Sequence, residues 1–144
     1  MRTEPETLTP TLTLTALSRP QCLDLLGQHK IGRIAWQAVD AQQILPVTYT
    51  VFEGRVYFRT SPYSILSDLL LPTEVALEVD ELDLTTRTGW SVVVHGRSQA
   101  VAEPVSVSRL WAVDPLPWAP GSRHLFVEVT PTDITGRLLS RELR

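Results

Sequence analysis

Cysteine and lysine are almost missing from this chain, with Cys22 and Lys30 the single representatives of their types among 144 residues. One cysteine cannot close an intrachain disulfide or furnish a thiolate-rich metal site. Cys22 falls on the apolar stripe of a predicted helix, where it reads as a small buried hydrophobe and not as a reactive thiol. With Lys30 set aside, the other 12 of the 13 basic residues are arginine, so recognition that needs a lysine ammonium is largely excluded. The histidines, His29, His95 and His124, lack H-x-x-x-H or similar spacing, so no protein-held metal is expected. The net charge of −3 comes without any basic run to neutralise a row of phosphates, and nucleic acid is not an expected partner. No apolar stretch reaches the roughly 18 residues of a membrane span, and the amino terminus has no secretory apolar core. A soluble cytoplasmic protein is the expectation. A Ser-His-Asp set, paired carboxylates at suggestive spacing and Gly-rich nucleotide motifs are missing too, so no catalytic residue is assigned.

What is present suits one domain, because 43% hydrophobic residues can fill a single substantial core. Residues 1–16 alternate Thr with Leu8, Leu12 and Leu14, which predicts an extended arm ahead of a domain over 17–144. Ser18-Arg19-Pro20-Gln21 is a capping box with proline in the first turn, and Cys22, Leu25 and Leu26 follow at helical spacing, predicting a helix over about 19–28. From Ile31 the period becomes two: Ile34, Trp36 and Ala38 share one face of a first barrel strand. Further strands are predicted over 45–52, 55–60, 74–80 and 89–102, with the last strands over 123–130 and 134–139. A short helix is expected over 64–71, closed by Pro72, and a helical segment from Pro104 to Leu110-Trp111. The run 115–121 is too rich in proline for regular structure, and Trp111 and Trp118 flank it ahead of Arg123-His124. The fold class is mainly β: a six-stranded antiparallel split β-barrel with two or three short helices and no β-α-β rhythm.

Two segments carry chemistry-bearing residues. Phe58-Arg59-Thr60-Ser61-Pro62-Tyr63-Ser64 ends a strand and starts a helix, collecting a guanidinium, hydroxyls and backbone N–H groups, a set that suits a phosphate. The same residues also read as a plain helix cap at Ser64 and a surface ion pair at Arg59. Gly89-Trp90-Ser91-Val92-Val93-Val94-His95 is a strand whose backbone beside a planar ring would suit a heterocycle, and it reads equally as a barrel strand with a buried Trp. His95 lies on the face opposite Trp90.

Several strings in order resemble the pyridoxamine 5′-phosphate oxidase-like, FMN-binding split-barrel family. They are Ile31-Gly32-Arg33-Ile34-Ala35, Leu45-Pro46-Val47-Thr48-Tyr49, Phe58-Arg59-Thr60-Ser61-Pro62, Thr86-Arg87-Thr88-Gly89-Trp90-Ser91-Val92-Val93-Val94 and Ile134-Thr135-Gly136-Arg137, spanning roughly residues 17–139. The resemblance implies a homodimer with FMN at the subunit interface, acting on a small-molecule substrate. It places the phosphate near Arg59, Thr60, Ser61 and Ser64, and the flavin ring against Pro46, Val47, Thr48 and Tyr49 and against Trp90, Ser91 and Val92. Two positions depart from the family pattern. Tyr63-Ser64-Ile65 stands where Gly-Thr-Lys is common, which removes the cation expected to face the phosphate, and Thr48 stands where Asn is frequent. Three functions follow as alternatives: an FMN-dependent oxidoreductase, a deazaflavin-dependent reductase, or a non-catalytic dimer that has lost its flavin and binds another small molecule or partner.

Overall fold

The computed structural model describes residues 10–103, 109–110 and 125–143. The predicted features at Trp111, 115–121, Trp118, Arg123 and His124 lie outside these residues, as does most of the helical segment expected from Pro104.

Elements follow in the order β1 (Pro10–Ala16), α1 (Arg19–Gln28), β2 (Ile31–Gln37), β3 (Gln42–Phe52), β4 (Arg55–Thr60), a 3-10 helix (Ile65–Leu70), β5 (Thr73–Asp83), β6 (Thr88–Ala100) and β7 (Leu125–Leu143). All pairings are antiparallel, in the order β1-β7-β4-β3-β2-β5-β6, and β6 returns to β7. Six strands therefore close a barrel, and β1 is added outside it along the far half of β7. No helix among the described residues is long and apolar enough to cross a membrane.

The antiparallel split barrel of six strands is as expected, and the sheet has a seventh strand, β1, outside it. The course of β7 explains both this addition and the joining of the two last predicted strands. Pro131-Thr132-Asp133 looks like a break because proline cannot donate to a ladder, yet it lies at a bulge. His95 pairs with Asp133 and Gly96 with Pro131, so Thr132 is the unopposed residue, and its hydroxyl donates to the His95 carbonyl at 3.2 Å. The two last strands are thus one bent strand, β7. Its continuation past the barrel offers an edge at residues 137–143, and residues 10–16 of the arm pair with it as β1.

The core follows the alternation. Ile34, Trp36, Val47, Tyr49, Val56, Phe58, Leu77, Val79, Val92, Val94, Val127 and Val129 point inward and are buried. Helix α1 forms with both capping-box bonds in place: the Ser18 N–H donates to Gln21 Oε1 at 2.8 Å, and the Gln21 N–H donates to Ser18 Oγ at 3.3 Å. It buries Cys22 and Leu26 completely in the same core. Burial pushes the Cys22 thiol up, consistent with its role as a hydrophobe. The Tyr49 hydroxyl donates to the Leu26 carbonyl at 2.7 Å, a short bond at the helix end that adds to the longer one from the His29 N–H at 3.3 Å.

Candidate functional site

The β3–β4 ladder runs from Phe52–Arg55 to Tyr49–Phe58 and stops there. Both strands continue beyond that point, β3 back to Gln42 and β4 on to Thr60. Pro46, Val47 and Thr48 therefore face Arg59 and Thr60 across the place where the strands part. Backbone groups on the β3 edge are released from pairing with β4 here, which is what recognition of a heterocycle by main-chain N–H and C=O requires. The register brings two of the three predicted residue groups to the same end of the β3–β4 pair.

There the side chains divide by the strand alternation. Pro46 and Thr48 point outward, whereas Val47 and Tyr49 point into the core and offer only backbone to the surface. Burial pushes the Tyr49 phenol well above its ordinary range. On β4, Phe58 and Thr60 point inward and Arg59 outward. Thr60 is fully buried, with its hydroxyl donating to the Ser61 carbonyl at 3.2 Å, so its side chain belongs to the barrel interior. Arg59 is only 7% exposed, with its guanidinium carbon 5.9 Å from the centre of the Phe126 ring, within cation–π range.

Ser64 caps the 3-10 helix: its Oγ accepts the Leu66 N–H at 3.2 Å, and its carbonyl accepts the Ser67 N–H at 2.9 Å. Two of the donors expected to await a phosphate are thus bonded within the turn. A six-residue 3-10 helix also contributes little dipole. The Ser64 hydroxyl can still donate its own proton outward. Ile65, at the position where the family pattern has a cation, is 47% exposed and not part of the core.

The third group lies elsewhere. Around the closed ring the order is β7, β4, β3, β2, β5, β6, so β6 stands diametrically opposite β3. Trp90 is half-buried at the barrel end, its ring edge-on to His29 with centroids 4.8 Å apart, and His29 Nε2 lies 3.4 Å from a Glu81 carboxylate oxygen. Ser91 faces outward, and Val92 is completely buried in the core. In one chain, these residues and Pro46–Tyr49 do not share a surface.

Two polar clusters escaped the sequence reading. Arg33 on the outer face of β2 lies 3.3 Å from Glu78 and 3.5 Å from Asp80. Burial, reinforced by the hydrogen bond and charge of Asp80 and opposed by Arg33, pushes the Glu78 carboxyl up to about 7. Glu128, buried on the outer face of β7, accepts from Arg55 at 3.1 Å, the Tyr57 hydroxyl at 3.0 Å and Gln99 at 3.0 Å. Burial alone would raise its pKa, but the bonds from Gln99 and Tyr57 and the Arg55 charge outweigh it and hold the carboxyl below its usual range. The available signal was a lone carboxylate inside the apolar string Leu125-Phe126-Val127-Glu128-Val129. Among the described residues, no three His, Cys, Asp or Glu side chains are grouped so as to hold a metal ion.

Comparison with known proteins shows what the chain and its fold resemble. A family model described as pyridoxamine 5′-phosphate oxidase matches residues 18–138. An uncharacterised protein of Mycobacterium tuberculosis is 33% identical over 125 residues, 83% of this chain and 82% of that one. Among solved structures, an FAD-binding protein from Mycobacterium smegmatis aligns with a TM-score of 0.73 at 29% identity, covering 88% of this chain and 99% of the other. A conserved protein of unknown function from Corynebacterium diphtheriae aligns with a TM-score of 0.72 at 27% identity, covering 88% and 98%.

Proposed function

This chain belongs to the pyridoxamine 5′-phosphate oxidase family, and from that premise we propose that it is a flavin-binding oxidoreductase whose cofactor lies in the cleft between β3 and β4 and is completed by β6 of a second copy. The observation that carries the proposal is the early end of the β3–β4 ladder at Tyr49–Phe58, which leaves residues 46–48 of β3 unpaired with β4 next to Arg59 in the register. Pro46 and Thr48 line the ring position with side chains, Val47 and Tyr49 with backbone. Arg59, with Ser61 and the Ser64 hydroxyl, faces the phosphate. Trp90, Ser91 and the backbone of Val92 come from the partner, because β6 of the same chain is on the far side of the barrel. A bound flavin supplies hydride or electron transfer, and the protein supplies position and electrostatics.

Charge selects among flavins. The terminal monoester of FMN carries about −1.5 to −2 at neutral pH, by analogy with other phosphomonoesters. The diphosphate of FAD carries as much charge in total but spreads it over two phosphates, so the phosphate that meets Arg59 presents a single charge. With Ile65 in the place of a cation, Arg59 faces the phosphate without a second basic side chain from that position, which favours FAD over FMN. The Mycobacterium smegmatis neighbour, an FAD-binding protein, points the same way.

Calorimetric titration of the wild type and Arg59→Ala with FAD, FMN and riboflavin tests the assignment. A charge-assisted contact to an ionised phosphate is worth roughly 1.5–3 kcal/mol, or about 10- to 100-fold in affinity. Arg59→Ala is expected to lose that factor for FAD and FMN and almost nothing for riboflavin. Equal losses for all three would show that Arg59 acts on the fold alone. Tighter binding of FMN than of FAD by the wild type would overturn the charge argument, and binding of a deazaflavin alone would replace the flavin reading.

A further inference from the structure

The outer face of the sheet carries two unlike features. At one edge, β1 and the far half of β7 form a ribbon. Residues directly opposed across an antiparallel pair share a face, so the pairs Leu14–Leu139, Leu12–Arg141 and Ala16–Arg137 lie together. The other face of the ribbon carries Thr11, Thr13, Thr15 and Ser140, with Leu138 among them. Leu12 is 44% exposed and Leu14 62% exposed. Residues 137–139 also pair with β6, so the ribbon is two-stranded only at its tip, where residues 10–13 pair with 140–143, and a two-stranded tip with Leu12 turned outward is marginal in water.

On the wall of the barrel, the strands β3, β2, β5 and β6 are in register at Ile44, Ala35, Ala76 and His95. Two alanines between larger neighbours leave a groove of about 600 Å³, with Ile44, 65% exposed, and Glu74 at its rim. Glu74 lies 3.5 Å from Arg97 in a highly exposed pair that contributes little.

We propose that the leucine face of the β1–β7 ribbon seats in the Ala35–Ala76 groove of a second copy of this chain, with Arg141 meeting the partner's acidic groove rim, so that each copy gives one ribbon and receives one. Shape and charge both fit: an apolar knob carrying guanidinium groups meets an apolar groove rimmed by a carboxylate. Continuity with the flavin cleft supports the same pairing. Leu138 and Leu139 pair with Trp90 and Gly89 of β6, and Ile44 lies two residues from Pro46 on the same face. Seating the ribbon therefore brings the Trp90–Ser91 end of β6 towards the β3 edge of the other copy. The contact rests on the two-chain reading of the site and adds the surface that builds it. A twofold arrangement closes at two copies because the two contacts are equivalent.

Light scattering on Leu14→Arg and Ile44→Arg tests the contact. Both positions are exposed, so both chains keep the barrel, checked by circular dichroism. Each variant alone loses both contacts and is expected to be monomeric at micromolar concentration where the wild type is dimeric. An equimolar mixture restores one intact ribbon-to-groove contact and is expected to recover dimer. Either variant remaining dimeric alone, or a mixture that stays monomeric, overturns the contact. If the wild type is a dimer that binds FAD in those cases, the two-chain site stands and only this surface falls. A wild type that is monomeric with and without FAD overturns both.

Discussion

Glu128 is the carboxylate on which the outer face of β4 and β7 depends, and its replacement by leucine is expected to cost about 2–3 kcal/mol. The magnitude comes from its partners. Arg55 is half exposed and turns to water when the carboxylate is removed, so its share is on the order of 0–1 kcal/mol. Gln99 is exposed and re-solvates as well. The Tyr57 hydroxyl has no such escape, because Tyr57 is buried among Leu110, Phe126 and Phe52. Leaving it without an acceptor costs about 1–3 kcal/mol. For a chain of this length the sum lowers the melting temperature by roughly 8–12 °C. Adding Tyr57→Phe to Glu128→Leu removes the orphaned hydroxyl and is expected to recover part of the loss, which a double-mutant cycle reads directly. The pH dependence has a definite sign. The folded pKa of Glu128 is lowered, so its stabilisation is present above the ordinary carboxylate range and is lost as pH falls through it. The gap between wild type and Glu128→Gln in urea denaturation should therefore shrink below about pH 4. A Glu128→Leu chain within about 0.5 kcal/mol of wild type, or a further loss on adding Tyr57→Phe, would refute the reasoning.

Three other outcomes follow from named contacts. Ile65→Lys restores the cation of the family pattern at an exposed position, and titration should show FMN gaining affinity more than FAD while the melting temperature stays within a few degrees. Glu78 has a folded pKa raised to about 7, so its ionisation is disfavoured in the fold: its contribution is full below its unfolded value and is lost as pH rises through 7. Glu78→Gln should then gain about 1 kcal/mol at pH 8, after allowing for solvent screening, and nothing at pH 4, as followed by thermal melts. Gly136→Ala places a Cβ 2.6 Å from the Cys22 sulfur and 3.0 Å from Leu17, and is expected to cost about 1–3 kcal/mol, of which Cys22→Ala in the same chain returns a part.

Much of the barrel is legible in the residues, because local chemistry and tertiary structure agree there. Ser18 to Gln21 specify a capping box whose bonds are all local, and the alternation over Ile31–Trp36 and Val56–Phe58 is the alternation of the core. The continuity of β7 was not legible, since Pro131 signals a break to any local reading and becomes part of the strand only at a bulge opposite Gly96. For the same reason β1 reads as an arm: nothing in Thr11–Thr15 reveals that β7 runs far enough to pair with it. At the cleft, Arg59 and Ser64 are visible as residues able to meet a phosphate, but which of Thr60 and Arg59 faces outward depends on register alone. That β3 and β6 stand on opposite sides of the ring is a property of closure, which no segment carries by itself.

The central claim is that flavin binds where two copies meet, and the direct measurement is FAD titration of the purified wild-type chain followed at once by visible absorption and by light scattering. The account predicts a flavin spectrum that saturates at one FAD per chain on a particle of twice the 16.1 kDa chain mass. A chain that takes up no flavin, or that binds it fully as a monomer, would contradict it.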